Sequence, residues 1–174
     1  MEETGNEKIK IYQKGEKVLR EKAKNVPVSE IKSKKIKAIL KKMAEAVAEN
    51  EEAVAVAAPQ IGESRRIFLI SKWALNSEKE KKEFEGQNIV FINPKIIKES
   101  QKKKSVPESC LSAPNLMGVV DRAEKIKVEA YDENGEKFER GASGFFAQAI
   151  QHEIDHLDGV LFIDKAENLQ KYKK

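Results

Sequence analysis

His152-Glu153-Ile154-Asp155-His156 places the chain's two histidines around a glutamate in an HExxH pattern. On a helix, residues four apart lie on one face, one turn from each other, so both imidazoles can hold a single metal ion. Glu153 then lies where it can take a proton from a metal-bound water. A catalytic ion site of this kind uses three protein ligands and leaves one position open. With no third histidine in the chain, the remaining ligand must be sulfur or a carboxylate. The one cysteine, Cys110, stands upstream in Glu108-Ser109-Cys110-Leu111-Ser112. A His/His/Cys set around a hydrolytic metal is the reading these residues invite, and neutral imidazoles with a thiolate suit zinc or ferrous iron.

HExxH also occurs in metalloproteases. One protease class extends it to HExxHxxGxxH; here Gly159 falls in place, but Phe162 stands where the third histidine belongs. Another class takes a glutamate from a helix well downstream, and Glu167 is the only glutamate after the motif. Both readings lack a ligand, and Cys110 is the better third one. The bland alternative is a surface helix with two satisfied histidines. Core-like flanks on the motif's helix and the lone cysteine argue against it.

The elements that must position these residues follow from periodicity. Phe145, Phe146, Ala149, Ile150, Ile154 and Leu157 recur with helical spacing from Ser143 to about Leu157, so the motif rides on an amphipathic helix closed by Gly159. Ile36, Ile39, Leu40, Met43 and Val47 give a second such helix within residues 29–50, with Ser29 or Ser33 as its cap. Residues 9–28 read as a short strand, a turn at Gly15 and then Val18-Leu19-Arg20. Val54 to Ala58, ending in Pro59-Gln60-Ile61-Gly62, reads as a loop leading into a strand at Ile67–Ile70. Residues 71–87 look like a polar surface excursion. Ile89–Ile92 is a further strand, bent at Asn93-Pro94 and continued by Lys95–Lys98. Residues 126–131 alternate strictly and turn through Asp132-Glu133-Asn134-Gly135 into Lys137-Phe138-Glu139, a hairpin. The expected fold is α+β: antiparallel strands packed around a central metal-binding helix carrying HExxH, with an N-terminal amphipathic helix. Residues 1–174 are expected to form a single catalytic domain.

Composition narrows the class. Hydrophobic residues make up 40% and charged residues 36%, as in a globular protein with a charged surface. No apolar run nears the ~20 residues that span a bilayer, so no membrane partner is expected. One cysteine cannot form an internal disulfide, and the acidic, polar start Met1–Asn6 is not the pattern of a signal peptide; the expectation is a cytoplasmic protein. The net charge of +4 is mild. Lysine clusters at 32–42, 79–82, 102–104 and 171–174 read first as solvated surface and second as a contact for ribosomal RNA. No specific nucleic-acid motif is present.

Three separated motifs resemble those of peptide deformylases. Gln151-His152-Glu153-Ile154-Asp155-His156-Leu157-Asp158-Gly159, continued by Leu161-Phe162-Ile163-Asp164, is similar to that family's QHExDHLxG. Glu108-Ser109-Cys110-Leu111-Ser112 resembles EGCLS, and residues 53–60, AVAVAAPQ, resemble GxGLAAPQ. Val18-Leu19-Arg20 with Ala23 and Val26 resembles the family's N-terminal stretch, so the likeness covers nearly the whole chain in order. It implies a metal-dependent hydrolase that removes the N-formyl group from the N-terminal methionine of nascent peptides and releases formate. Cys110, His152 and His156 would hold one divalent ion, usually ferrous iron, with zinc, nickel or cobalt as substitutes. Glu153 would deprotonate the metal-bound water for attack on the formyl carbon. The Gln60 side-chain amide and the Leu111 backbone N–H would meet the oxyanion. Val54, Ala55, Phe145, Gln148 and Ala149 would line the substrate site, and Glu108 and Arg122 would orient the ligands. N-formylmethionyl nascent peptides are the implied partners, and the lysine clusters are what would meet a ribosome.

The departures lie on the substrate side. Ala53 and Ala55 replace both glycines of the first motif and Ser109 replaces the glycine before the cysteine. Gln148 stands where the family has an apolar residue, Met117 where many members have arginine, and Asp121 where proline precedes Arg122. An amide buried without a partner costs about 1–3 kcal/mol. These changes keep two further readings open: a deformylase-like protein that binds metal or peptide with little turnover, and a metallo-amidase with altered N-acyl preference.

Overall fold

A computed structural model describes residues 8–74, 82 and 87–173. Strands β1 (Ala55–Ala57), β2 (Ile67–Ile70), β3 (Ile89–Glu99), β6 (Lys125–Tyr131) and β7 (Lys137–Ser143) form an antiparallel sheet in the order β1-β2-β3-β6-β7. Strands β4 (Lys103–Cys110), β5 (Ala113–Ala123) and β8 (Glu167–Lys171) form a second antiparallel sheet in the order β4-β5-β8. Helix α1 spans Lys34–Ala48, α2 spans Gly144–Leu157, and the single-turn α3 spans Phe162–Lys165.

The five-stranded sheet is covered on both faces. Phe68 and Ile70 of β2, with Ile89 and Phe91 of β3, pack with Phe146, Ile150 and Leu157 of α2. Ile67 and Leu69, with Val90 and Ile92, pack with Ile36, Ile39 and Met43 of α1. Side chains alternate across a strand, so two covered faces require the unbroken apolar runs read at Ile67–Ile70 and Ile89–Ile92. Phe68 and Phe91, paired in register, stack with ring centroids 4.5 Å apart. Burying each of the larger of these side chains contributes roughly 1.5–3 kcal/mol.

Helix α1 starts where a cap is available: Ser33 Oγ accepts the Ile36 N–H at 3.2 Å. Helix α2 follows Ser143, and its last turn ends at Gly159 in the left-handed region at φ 75°. Strand β3 continues past the bend, with Asn93 at φ 52° and a register shift before Lys95.

Two local expectations change. The stretch 9–13 forms no strand, because its neighbours differ from residue to residue. Tyr12 N–H goes to Gln60 O at 2.8 Å and Lys14 N–H to Ser112 O at 2.7 Å, so no ladder builds. The loop at 54–58 contains β1 and runs into a 3-10 turn, Ala58–Ile61, closed by Gly62 at φ 88°. Of the excursion at 71–87, residues Lys72–Ala74 form a 3-10 turn, and most of the remainder lies outside the described residues.

Candidate active site

The two sheets and α2 meet at one cleft of about 270 Å³. Cys110 ends β4, where the register shifts and the chain turns through Leu111 and Ser112 into β5. Helix α2 is pinned beside this turn by Gln151. Its side chain accepts the Ala123 N–H at 2.9 Å and donates to the carbonyls of Ala123 at 3.0 Å and Ala147 at 2.9 Å. The pin aims the next residue, His152, and one turn later His156, at the end of β4.

The result is a compact donor set. The ligand atoms of Cys110, His152 and His156 all lie within 4.8 Å of one another. His156 Nε2 is 3.3 Å from Cys110 Sγ, and the imidazole centroids are 5.0 Å apart. His152 Nδ1 is 2.8 Å from Glu108 Oε2. A carboxylate only accepts, so Nδ1 carries the proton and Nε2 is the nitrogen available to a metal.

Glu108 is itself gripped. Arg122 donates to it from Nε at 2.7 Å and Nη2 at 2.9 Å, and to Asp155 from Nη1 at 2.6 Å. Lys165 Nζ reaches Asp155 at 2.9 Å from the far side. Burial pushes the Glu108 carboxyl up, but Arg122 and His152 bring it down to about 2. Burial also raises the Cys110 thiol, and the two neighbouring imidazoles reverse this, leaving it well below its ordinary value as a thiolate. For His152 burial works downward, yet its hydrogen bonds to Cys110 and Glu108 hold it well above the usual imidazole range, so a bound ion would displace a proton from Nε2.

Glu153 differs from these paired groups. It is 3% exposed, and its Oε2 has no hydrogen-bond partner among the described residues. Burial raises its carboxyl to about 7, against the lowering effect of His152 and His156. A thiolate, two imidazoles with one tautomer set by a carboxylate, and an adjacent unpaired carboxyl oxygen fit a divalent ion with a proton acceptor beside it.

Gln60 enters from the 3-10 turn after β1. Its Oε1 accepts the Ala57 N–H at 2.9 Å, which leaves the amide N–H₂ for Ser112 Oγ at 3.1 Å and Cys110 Sγ at 3.4 Å. The donor end of Gln60 is therefore presented beside the thiolate. Leu111 also borders the cleft, as do Val54, Ala55, Phe145, Gln148 and Ala149. Ala55 and Ala149 are buried, whereas Val54 (39% exposed) and Phe145 (42%) stand at the lip.

The departures are accommodated locally. Among the described residues, positive φ outside glycine occurs at Asn93, Asn115 and Asn168, so Ala53, Ala55 and Ser109 adopt backbone that any residue tolerates. Gln148 donates to the Pro107 carbonyl at 2.9 Å, bridging α2 to β4, so its amide is partnered. Met117 is exposed on β5, opposite Ser109, and does not border the cleft. Asp121 accepts from Ser105 Oγ at 2.6 Å at the surface.

Every sequence-expected site residue converges here: eleven border the cleft, His156 touches Cys110, and Arg122 holds Glu108. Sequence reading missed Ser112, Gln151 and Asp155 as partners of these groups. Each sits inside a quoted motif, but only tertiary contacts reveal its bonds. Tyr172, which borders the same cleft, carried no signal.

The family model for polypeptide deformylase matches residues 8–172. The chain belongs to the polypeptide deformylase family. It is 42% identical over 158 residues to the peptide deformylase of Halothermothrix orenii, covering 90% of this chain and 92% of that one. It is 39% identical over 163 residues to the peptide deformylase of Pelotomaculum thermopropionicum, covering 93% and 94%. The crystal structure of a Synechococcus elongatus peptide deformylase in complex with actinonin is similar with a TM-score of 0.78. That match is 33% identical and covers 92% of this chain and 79% of that one. As a deformylase-family member the chain is a metal-dependent hydrolase of protein biosynthesis. Among the described residues no helix is long and apolar enough to cross a membrane.

Proposed function

We propose that this deformylase removes the formyl group from the N-terminal methionine of nascent peptides, the chain acting as one catalytic domain around the HExxH-bearing helix α2. The observation that carries the reading is the Cys110–His152–His156 donor set beside the unpaired Glu153 oxygen. The three would hold one divalent ion, ferrous iron by family preference and zinc, nickel or cobalt by the same donor chemistry. When bound, that ion supplies Lewis acidity and lowers the pKa of water.

The chain's own residues divide the remaining work. Glu153, buried with its Oε2 unpaired among the described residues beside the donor set, takes a proton from the attacking water and later delivers it to the departing amine. The Gln60 amide, its orientation set by Ala57, and the Leu111 N–H face the formyl oxygen as negative charge develops. Glu108 and Arg122 keep the His152 ring in one tautomer and one orientation. Val54, Ala55, Phe145, Gln148 and Ala149 receive the first residue of the peptide. The products are formate and a free N-terminus. We place the reaction in the cytoplasm, on chains leaving the ribosome, where the lysines at 102–104 would meet RNA phosphates.

The partnered Gln148 amide and the ordinary backbone at Ala53, Ala55 and Ser109 favour an active enzyme over a metal-binding relative with little turnover. Formate release from formyl-Met-Ala-Ser, against acetyl-Met-Ala-Ser, tests the reading. Turnover confined to the formyl peptide supports it. Equal turnover of both would make the chain a general metallo-amidase, and none on either would leave a binding protein.

A further inference from the structure

The last strand brings a residue to the cleft from the side opposite α2. Strand β8 pairs with β5 through Leu116–Lys171 and Met117–Gln170, and the next residue's N–H, that of Tyr172, donates to the Asn115 carbonyl at 3.1 Å. Asn115 is in the left-handed region at φ 60°, just after the cleft residue Pro114. This places the half-buried Tyr172 beside Pro114 on the wall of the cleft that also holds Cys110 and Glu153.

The sheet order sets how far Tyr172 lies from the recess at α2. Gln148 of α2 bonds to Pro107 on β4, so the part of the cleft lined by Phe145, Gln148 and Ala149 lies on the β4 side. Strand β8 is on the far side of β5. Strands are spaced by about 4.8 Å, so β4 and β8 are roughly 10 Å apart. An extended peptide advances about 3.3 Å per residue, so its second and third residues lie about 3 and 7 Å along from the first, between the recess and β8 and within reach of a tyrosine side chain. A tyrosine offers a flat apolar face and a hydroxyl, a combination that suits peptide side chains and amides alike.

We infer that Tyr172 is a specificity-determining residue that contacts the second and third residues of the peptide, while the recess at α2 takes the first. The inference rests on the deformylase reading of this cleft. Tyr172 then adds affinity for longer peptides and leaves the chemical step untouched.

Steady-state kinetics on formyl-Met methylamide and formyl-Met-Ala-Ser separate these effects. Tyr172→Ala is expected to raise KM for the tripeptide about fivefold with kcat unchanged, and to leave both constants for the methylamide at parental values. Tyr172→Phe should retain most of the tripeptide KM. Parental activity on the methylamide doubles as the folding control. An equal change on both substrates, or a parental KM for the tripeptide in Tyr172→Ala, overturns the assignment. A parent chain that hydrolyses neither formyl substrate defeats the deformylase reading, and this inference with it.

Discussion

Replacing Arg122 with methionine tests the support of the candidate metal site. Arg122 is 5% exposed and donates to two carboxylates, Glu108 at 2.7 and 2.9 Å and Asp155 at 2.6 Å. Methionine fills similar space but leaves the nearly inaccessible Glu108 carboxylate without its cation. Asp155 keeps Lys165, so Glu108 bears most of the effect. Removing one partner of a buried ion pair costs about 3–5 kcal/mol. For a domain of this size each kcal/mol lowers Tm by roughly 2–4 °C, so the drop should be about 6–20 °C. The effect passes to the metal site, because Glu108 orients His152 through Nδ1. Loss of such outer support typically weakens metal binding about 10–100-fold. Thermal unfolding followed by circular dichroism reads the first effect, and competition with a chromogenic chelator reads the second. A Tm within about 2 °C of the parent, with metal affinity unchanged, would refute the claim that Arg122 secures the Glu108–His152 bond.

Three other outcomes follow. Cys110→Ser should weaken divalent-metal binding at least tenfold, about the loss seen when mere outer support is removed; full metal content by elemental analysis would make Cys110 a core residue. Gly159→Ala adds a Cβ about 2.6 Å from the Arg20 carbonyl oxygen at φ 75°, and should cost about 1–3 kcal/mol as a lower urea midpoint at unchanged m. Arg20→Met removes the group whose hydrogen bond holds the Asp164 carboxyl below its ordinary value of 3.8. A depressed carboxyl stabilises the fold above its unfolded pKa, so the parent's advantage should be present at pH 7 and shrink as pH falls through and below 3.8. That pair is partly exposed, so the advantage should be under about 1 kcal/mol. A difference that grows in acid would contradict the sign.

The legible parts of the fold are those whose burial imposes a period. Helix α1 buries one face, α2 is enclosed on nearly every side from Phe146 to Leu157, β2 and the first half of β3 are covered on both faces, and β6 alternates between core and solvent. Strands β4 and β5, which frame Cys110, escaped notice. Pro107 and Pro114 interrupt them, and β4 buries a single residue, Glu108. The sequence Glu167-Asn-Leu-Gln-Lys171 of β8 is exposed throughout and held by pairing to β5. Nothing in its pattern announces a strand. The same division holds in the site. Two histidines and a glutamate on one helix face need only local geometry. The Gln60–Ser112, Arg122–Asp155 and Tyr172–Asn115 contacts depend on how distant segments cross.

The most direct test of the central claim removes the metal and returns it. The chain should lose formate release from formyl-Met-Ala-Ser after chelation and recover it on adding one equivalent of ferrous iron or zinc. Glu153→Ala should bind the same single equivalent yet turn over about 10²–10⁴-fold more slowly. Recovery in Glu153→Ala equal to the parent, or parental turnover that survives complete chelation, would contradict the account.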